Sequence, residues 1–523
     1  MKFIQGNDRT QTHLFPVSLD QSIDSDNEVR LIDLFVDGLP LAEYGFNMQF
    51  VENGRPAYHP GDLLKLFIYG YMNKVRTTRD LEKECKRNIE VMWLMRCLQP
   101  DHNTIANFRK ANPRAIKKVF RATVQVARHF KLIGGKLIAG DSTKLRAQNS
   151  RKNNFNVKKI ERHVAYIDQK LEEYCKQLAE ADGDEREELK KEILKQTERK
   201  DQYRKIEEQL KSSGESQVST SDPESRLMVT GNKGPEVAYN VQVTTDAAHY
   251  LPIDYKMTNS IDNRAMGTML RRAKSILGTN EFTALYDKGY HTGSELAIGQ
   301  RLGIETLVAI PDAPGNNHAP NPEYDVEQFI YSKERDTYTC PEGAELTTNG
   351  SWYEKKGLRF KQYKTKACSN CPVKAKCTTA KEHGRMIQRG EYAVYIEQNK
   401  INIARKQHLY KNRKVIVEHP FGTIKRQWGF DYVLTKKGME RAGADVGLMF
   451  TAYNLRRLIN IIGRENLKEN LKKVLFTVFS AYRMLLREIM KFLKWEGEYR
   501  TEFPVSIITI FKPAVIGLKL KKI

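Results

Sequence analysis

From about residue 136 onward, short apolar runs alternate with segments of helical periodicity. An apolar run (KLIAG) ends at Asp141, and after an insertion the segments VAYNVQVTTD and AAHYLPIDYKM predict two joined strands. A helical pattern near 263–277 precedes the strand FTALYD, and another near 293–302 precedes ETLVAI. The predicted order is strand, strand, strand, helix, strand, helix, strand, helix. This pattern indicates an α/β unit rather than an all-helical or all-β one.

Three acidic residues stand at distinctive places in this order. Asp141 and Asp287 each close a predicted buried strand, and Glu418 opens the segment VEHPFGTIKRQWG, which has helical periodicity. The element order is that of a ribonuclease H-like fold, with the acids on its first strand, fourth strand and closing helix. Such a scaffold gathers carboxylates from distant sequence into one pocket. Carboxylate oxygens suit Mg²⁺ or Mn²⁺.

The phrases that surround these acids carry a family resemblance. GDSTK, YDKGYH and VEHPFGTIKR, taken together, resemble the DDE transposases of bacterial insertion sequences, most closely the eleven-eighty-two group, over about residues 47–463. The resemblance implies an enzyme that cleaves DNA at transposon ends and transfers the 3′-hydroxyl strand into target DNA. It implies Asp141, Asp287 and Glu418 as the catalytic, metal-binding acids and two Mg²⁺ or Mn²⁺ ions as cofactors.

In the wider superfamily the glutamate belongs to a Tyr, Arg, Glu, Lys signature. Tyr410, Arg413, Glu418 and Lys425 match its first and last gaps, but Lys414 rather than Arg413 restores the middle one. Either Arg413 or Lys414 can therefore occupy the basic position of the signature. The resemblance makes four residues candidate DNA contacts: Tyr410, Arg413, Lys414 and Lys425. Glu418 and Lys425 lie seven apart, which in a regular α-helix is two turns and predicts a shared face.

Composition favours a polyanionic partner. In 523 residues Lys and Arg exceed Asp and Glu by 23, with a pI near 9.5, and cationic side chains displace counterions from nucleic-acid phosphates. We expect double-stranded DNA, as transposon terminal inverted repeats and target, to be the partner. Synapsis of two ends implies a homodimer or higher oligomer. We see neither a secretory signal nor an apolar stretch of membrane-spanning length, and so expect no membrane partner and a bacterial cytoplasmic, nucleoid-associated location.

Outside the acid-bearing elements the pattern divides the chain into further regions. Residues 1–130 predict an all-α N-terminal region, in which Arg109 is a candidate DNA contact together with further cations expected to be exposed: Arg76, Arg79, Lys86, Arg87 and Lys110. Two interpretations fit this region: a domain that recognises the DNA sequence of transposon ends, and a helical cap that makes no base contacts. The catalytic region is 131–463, and a basic helical tail follows at 464–523.

Two insertions interrupt the catalytic region. The first, at 148–221, is highly charged with sparse apolar positions and predicts two helices. Three roles fit this insertion: a helical hairpin lying along the core, an oligomer contact, or a DNA clamp. The second, at 311–390, is a cysteine-bearing insertion of zinc ribbon-like character. Its cysteines, Cys340, Cys368, Cys371 and Cys377, have a spacing that could hold one structural Zn²⁺, and reduced thiols without metal are the alternative.

Two other functions compete with transposition. A descendant of the fold that binds DNA without catalysis is one, although the three acids are intact. A ribonuclease H-like nuclease that cuts without strand transfer is the other. Production of joined DNA separates the nuclease from the transposase.

Overall fold

The computed structural model describes residues 18–49, 56–230, 234–312, 319–355, 357–380, 383–435, 437–471 and 473–474. The chain divides into two compact units. The first unit comprises the residues up to Gly134, Ser142–Ser260 and the residues from Glu418, and the second comprises Gly135–Asp141 and Ile261–Val417.

The first unit begins with helices. They are α1 (Glu28–Asp37), α2 (Leu41–Tyr44), α3 (Pro60–Met72), α4 (Thr78–Arg87), α5 (Ile89–Leu94), α6 (His102–Ala111) and α7 (Pro113–His129). Polar residues define where they start: the Asn27 side chain accepts from the second backbone N–H of α1, and Asp101 caps α6 in the same way. Helix α3 is buried along almost its whole length, including Lys65, whose ammonium pairs with two aspartates of α1.

The strands that follow are β1 (Leu137–Arg146), β2 (Asn154–Phe155), β3 (Val218–Ser219), β4 (Arg226–Val229), β5 (Pro235–Asp246) and β6 (Pro252–Thr258). β5 pairs antiparallel with β4 at its start and with β6 over the rest of its length. β1 is the neighbour of β5 in the sheet. Strand β5 is buried from Val237 onward, and its buried residues include polar ones such as Asn240 and Gln242 as well as apolar ones.

A helical hairpin occupies the stretch between β2 and β3. It consists of α8 (Val157–Glu180) and α9 (Gly183–Ser213), and the helices separate at Ala181 and Asp182. An apolar cluster at its base joins both helices to the β2–β3 pair: Phe155, Ile160, Leu210 and Val218. Most other positions of the hairpin are polar and exposed.

In the second unit the elements are α10 (Met266–Leu277), β7 (Thr283–Tyr286), α11 (Gly293–Arg301) and β8 (Glu305–Val308). The first half of β1 pairs parallel with β7, and β7 pairs parallel with β8. Because parallel neighbours need a crossover connection, α10 and α11 precede β7 and β8 in the chain. With the antiparallel strands of the first unit, the chain is a mixed α/β protein, as expected from its sequence.

The cysteine-bearing stretch of the second unit forms two small antiparallel sheets. Its elements are β9 (Ile330–Ser332), β10 (Thr337–Thr339), β11 (Glu345–Leu346), β12 (Tyr353–Lys355), β13 (Leu358–Tyr363), α12 (Lys374–Cys377) and β14 (Ile387–Gly390). One apolar cluster holds them together: Phe329, Tyr338, Leu346, Tyr363 and Ile387.

The closing elements are α13 (Ala393–Arg405), α14 (Gln407–Tyr410), α15 (Arg413–Phe421), a π-helix over Gly422–Gln427 and α16 (Met439–Ile462). Helix α16 packs on α3, α7 and β6 of the first unit and is buried over most of its length. Most of the predicted tail, from residue 475, lies outside the described residues. Within the described ranges, no helix combines the length and the apolar character needed to cross a membrane.

Candidate active site

Asp141 lies in β1, and Asp287 directly follows β7, the parallel neighbour of β1 in the second unit. Strands β1 and β7 pair with Ala139 opposite Leu285, and the same register continued by two residues puts Asp141 level with Asp287. Adjacent strands are about 4.8 Å apart. Two acids that are 146 positions apart in the chain therefore meet at the same point of one sheet.

A glycine before Asp141 makes this close pairing possible. A Cβ atom on Gly140 would lie 2.0 Å from Cε1 of Tyr286, the residue that precedes Asp287. Tyr286 is buried and its ring packs against Tyr290 at 4.9 Å. The sequence GDSTK thus needs its glycine for packing against YDKGYH.

The Asp287 carboxylate is held by the turn that follows it. Its Oδ1 accepts a hydrogen bond from the backbone N–H of Gly289 at 2.9 Å. A Cβ built on Gly289 would lie 3.1 Å from Asp287 Oδ1 and 3.9 Å from Asp262 Oδ2. Asp262 is therefore a further acid close to Asp287, and sequence reasoning missed it because it follows no predicted strand.

Arg413 brings a cation to this pair of acids. Its Nη1 donates to Asp141 Oδ2 at 3.2 Å, and both side chains are about four-fifths buried. Burial alone would disfavour the charged guanidinium, but the carboxylates of Asp141 and Asp287 outweigh it and raise the pKa of Arg413. Tyr410 lies beside Arg413, and its pKa is raised by burial and by the same two acids. Arg413, Tyr410 and both aspartates form one cluster.

Two further signature residues share helix α15 with Arg413. Lys414 is exposed on that helix. Arg413, the other candidate for the basic place, donates to Asp141. Glu418 is also exposed and stands five positions after Arg413, at the point where the chain enters the first unit.

The helical geometry expected between Glu418 and Lys425 is wrong. Pro420 lies inside α15, and the segment from Gly422 to Gln427 is a π-helix rather than an α-helix. A π-turn is wider than an α-turn, so seven positions are not two regular turns and the argument for a shared face fails. Lys425 Nζ instead donates to Thr143 Oγ1 at 2.9 Å and to the carbonyl of Lys144 at 3.3 Å.

Arg109 is not exposed, and the expectation that it is available to DNA is wrong. It is 6 % exposed and its Nη1 lies 3.4 Å from Oδ1 of Asp445, a fully buried residue of α16. Arg76, also expected on the surface, is 5 % exposed and donates to Asp445 Oδ2 at 3.0 Å. The Tyr71 hydroxyl completes the set by donating to Asp445.

Aromatic rings and opposite charge explain why this cluster is stable inside the first unit. The Arg76 guanidinium lies 4.3 Å from the ring centre of Phe430, and that of Arg109 lies 5.4 Å from Phe67. Burial would raise the pKa of Asp445, but the two arginines outweigh burial and lower it. One sequence signal was available: Asp445 interrupts the apolar helix GADVGLMF, where a buried charge demands a partner.

The four clustered cysteines of the second unit surround one small cavity. Cys340, Cys368, Cys371 and Cys377 line a space of about 30 Å³, large enough for an ion or a water. The backbone N–H of Ala344 donates to Cys340 Sγ at 3.3 Å. Burial raises the pKa of Cys377; nearby Arg385 lowers it, and the other three thiols raise it further.

No group of three or more His, Cys, Asp or Glu side chains among the described residues is arranged tightly enough to hold a metal ion. The four thiols thus share a cavity without the spacing of a closed tetrahedral site. Arg413 forms an ion pair with Asp141 and interacts electrostatically with Asp287.

Two protein-family models match segments of this chain. A family model described as "Transposase domain (DUF772)" matches residues 17–111, and one described as "Transposase DDE domain" matches residues 339–459. The two matches support a DDE transposase of the insertion-sequence type. The second match includes Glu418 and most of the elements from β11 to α16, and the first includes the arginines of the buried cluster.

Comparison of this transposase with solved structures gives a more distant likeness. It is similar to the piggyBac transposase in a cryo-EM structure described as a synaptic complex with hairpin DNA, with 11 % sequence identity, a TM-score of 0.26, and coverage of 91 % of this chain and 85 % of that one. A score this low does not establish a shared fold. No curated protein matches the transposase.

Proposed function

We propose that this transposase cleaves DNA at the ends of an insertion sequence and transfers the freed 3′-hydroxyl strand into target DNA, with Asp141, Asp287 and Glu418 as its catalytic acids. The observation that carries the proposal is the register of β1 and β7, which brings Asp141 level with Asp287. Glu418 joins them in the proposal because it shares helix α15 with Arg413, which contacts Asp141.

Strand order supports a ribonuclease H-like catalytic fold. In the first unit β6, β5 and β1 are neighbours in that order, and in the second unit β1, β7 and β8 are neighbours. Without the short β4, and without β2 and β3, which form a separate pair, these strands are numbers three, two, one, four and five along the chain. The antiparallel pairing of β5 with β6 and the parallel pairing of β1, β7 and β8 agree with this fold.

The donor set fits hard divalent cations. Asp141 and Asp287 offer carboxylate oxygens, which Mg²⁺ and Mn²⁺ prefer, and the cation that contacts Asp141 is Arg413. When bound, two such ions supply activation of the attacking oxygen and stabilisation of the leaving oxygen. Asp141, Asp287 and Glu418 would hold them. The backbone N–H of Gly289 keeps Asp287 oriented.

Basic residues around the acids would hold the DNA backbone. Arg413 and Tyr410 lie at the aspartates, Lys414 is exposed on the same helix, and Lys425 is anchored to β1 through Thr143. We propose that these residues contact phosphates near the scissile bond. The net charge of +23 supports double-stranded DNA as the partner. Joining two transposon ends calls for at least a dimer, acting at the bacterial nucleoid.

A cleavage assay on labelled transposon ends tests the assignment of the acids. Asp141→Asn, Asp287→Asn and Glu418→Gln remove charge with little change in shape, so each should abolish Mg²⁺-dependent cleavage and leave end binding largely intact. Asp168→Asn, in the helical hairpin, is a matched control that should cut at the wild-type rate. Near wild-type cleavage by Asp287→Asn would overturn the assignment.

Strand transfer distinguishes the proposal from its two rivals. A labelled end with a free 3′-hydroxyl is incubated with target plasmid, and joined product is scored. Cleavage without joining would identify a nuclease, and end binding without cleavage would identify a non-catalytic DNA-binding protein.

We further propose that the cysteine-bearing insertion binds one structural Zn²⁺. Support comes from the four thiols around one small cavity and from the N–H of Ala344 at Cys340 Sγ. Small movements that close the thiols on an ion would give the tetrahedral sulfur site that zinc prefers. The metal would add to the small apolar cluster of this insertion and stabilise it.

Elemental analysis of the purified protein tests the zinc proposal. About one Zn²⁺ per chain is expected, and Cys371→Ser should lose it together with the local fold of the insertion. Cys175→Ser is the matched control, because Cys175 is an exposed thiol of α8. Absence of zinc from protein purified without chelators would refute the proposal.

A further inference from the structure

The turn between β5 and β6 in the first unit has a strained backbone. Tyr250 has φ of +58°, the left-handed region that non-glycine residues seldom occupy. The turn is tied at its start, where Asp246 Oδ1 accepts from the N–H groups of Ala248 at 2.9 Å and of Gly134 at 3.0 Å. Strain of this kind persists only where the surroundings hold it, and it concentrates at functional sites.

His419, the residue after Glu418, holds the other side of this turn. Its ring stacks on the Tyr250 ring with centroids 5.0 Å apart and planes 23° from parallel. His419 Nδ1 lies 2.7 Å from the Tyr453 hydroxyl, which donates to the Tyr250 carbonyl at 3.0 Å. The Tyr453 hydroxyl therefore connects the His419 ring to the backbone of Tyr250.

Helix α16 fixes the same turn through a second contact. Arg457 Nε donates to the carbonyl of His249 at 3.1 Å, next to Tyr250. His419 contacts Tyr250, and α16 contacts the carbonyl of His249, so two successive residues of the turn are held in place. His419, Tyr453 and Tyr250 are linked to one another by these contacts.

Helix α15 needs such support because its own backbone is interrupted at this point. Pro420 has no N–H, so the hydrogen bond to the carbonyl of Ile416 is missing. The π-helix begins two residues later, and the His419 carbonyl accepts from the Thr423 hydroxyl at 3.1 Å. A helix broken in this way does not by itself determine where the side chain of Glu418 points.

We propose that His419 is a positioning residue that sets the orientation of Glu418, acting through Tyr453 and the strained turn at Tyr250. The inference rests on the proposed role of Glu418 as a metal-binding acid. It assigns to the histidine of VEHPFG a role that requires no contact with DNA or with the reacting atoms.

Direct metal binding tests this role independently of catalysis. Mn²⁺ is titrated into the full-length protein, free Mn²⁺ is followed by electron paramagnetic resonance, and end cleavage is measured in parallel. His419→Ala, and Tyr453→Phe, which removes only a hydroxyl, should weaken Mn²⁺ affinity or lower kcat by about 10- to 100-fold. Binding of transposon ends without metal should change by less than about twofold, since positioning does not alter DNA contacts.

A second histidine provides the matched control. His163 stacks on Tyr203 in the helical hairpin with centroids also 5.0 Å apart, so His163→Ala removes a comparable contact and should leave metal binding and cleavage unchanged. In a Glu418→Gln background, His419→Ala should cause no further loss of metal affinity.

The possible outcomes separate this inference from the proposed function. Unchanged Mn²⁺ affinity and kcat in His419→Ala and Tyr453→Phe, with Glu418→Gln inactive, would overturn the positioning role alone. Equal losses in His163→Ala and His419→Ala would also overturn it, because they would indicate general destabilisation. A fully active Glu418→Gln would overturn the proposed function instead.

Discussion

Replacing Asp445 with asparagine should destabilise the first unit more than any loss of a surface ion pair. Asp445 is fully buried, and Arg76 and Arg109, which contact it, are 5 % and 6 % exposed. The substitution keeps the shape of the side chain but leaves two buried guanidinium groups without a counter-charge. Removing one partner of a buried ion pair costs about 3–5 kcal/mol, and we expect a loss of free energy of unfolding in this range.

Urea unfolding followed by circular dichroism measures this loss, and the chain offers a control on the same helix. Glu440 of α16 pairs with Arg114, but the two side chains are 58 % and 88 % exposed. Glu440→Gln should therefore cost no more than about 1 kcal/mol. If Asp445→Asn and Glu440→Gln shift the unfolding free energy equally, the buried cluster does not stabilise the unit as argued.

The same cluster predicts how stability depends on acid. Since the arginines lower the pKa of Asp445 in the folded state, its contribution is present above the pKa of an unfolded aspartate, about 3.9. It is lost as the pH falls through the lowered folded value. Asp445→Asn should remove this part of the dependence of the unfolding free energy on acid pH. The same loss of stability in acid as in the wild type would contradict the assignment.

Four further substitutions test the site. Lys425→Ala should weaken end binding and make the logarithmic salt slope shallower by about one unit, as for a lost phosphate contact; an unchanged slope would limit Lys425 to its bond with β1. Arg413→Ala should impair strand transfer by at least about tenfold and Lys414→Ala much less, because Arg413 donates to Asp141 from a largely buried position whereas Lys414 is exposed; the reverse order would assign the signature's basic place to Lys414. Gly140→Ala should cost about 1–3 kcal/mol of stability through overpacking against Tyr286 and reduce cleavage; wild-type values for both would contradict the close strand packing.

Sequence alone predicted the two strands that lead to Asp141 and Asp287, but the predicted end of the first strand was wrong, because β1 continues past Asp141 to Arg146. Apolar runs closed by Asp141 and Asp287 are local patterns, and the structure has strands that reach or end beside both residues. The mixed α/β class and the transposase family also followed from local phrases. These features depend on the alternation of apolar and polar positions along short segments, which the chain displays without any tertiary contact.

Long-range contacts decided what the cationic side chains do. Arg109 lies in a polar helical segment that looks solvent-exposed, yet its partner Asp445 is more than 300 positions away, so no local pattern reveals that it is buried. The contact of Arg413 with Asp141 also depends on distance in space, because the two residues are 272 positions apart in the sequence.

Backbone irregularity was the other feature that the spacing argument left out, although Pro420 is visible in the sequence. The spacing of Glu418 and Lys425 predicts a shared face only for a regular α-helix, whereas Pro420 and the following π-helix change the turn. The stack of His419 on Tyr250 joins residues on elements far apart in sequence. Local sequence determines which elements form, because it sets propensity and pattern; the packing of those elements determines which polar groups meet, because burial demands partners that the chain supplies from anywhere along its length.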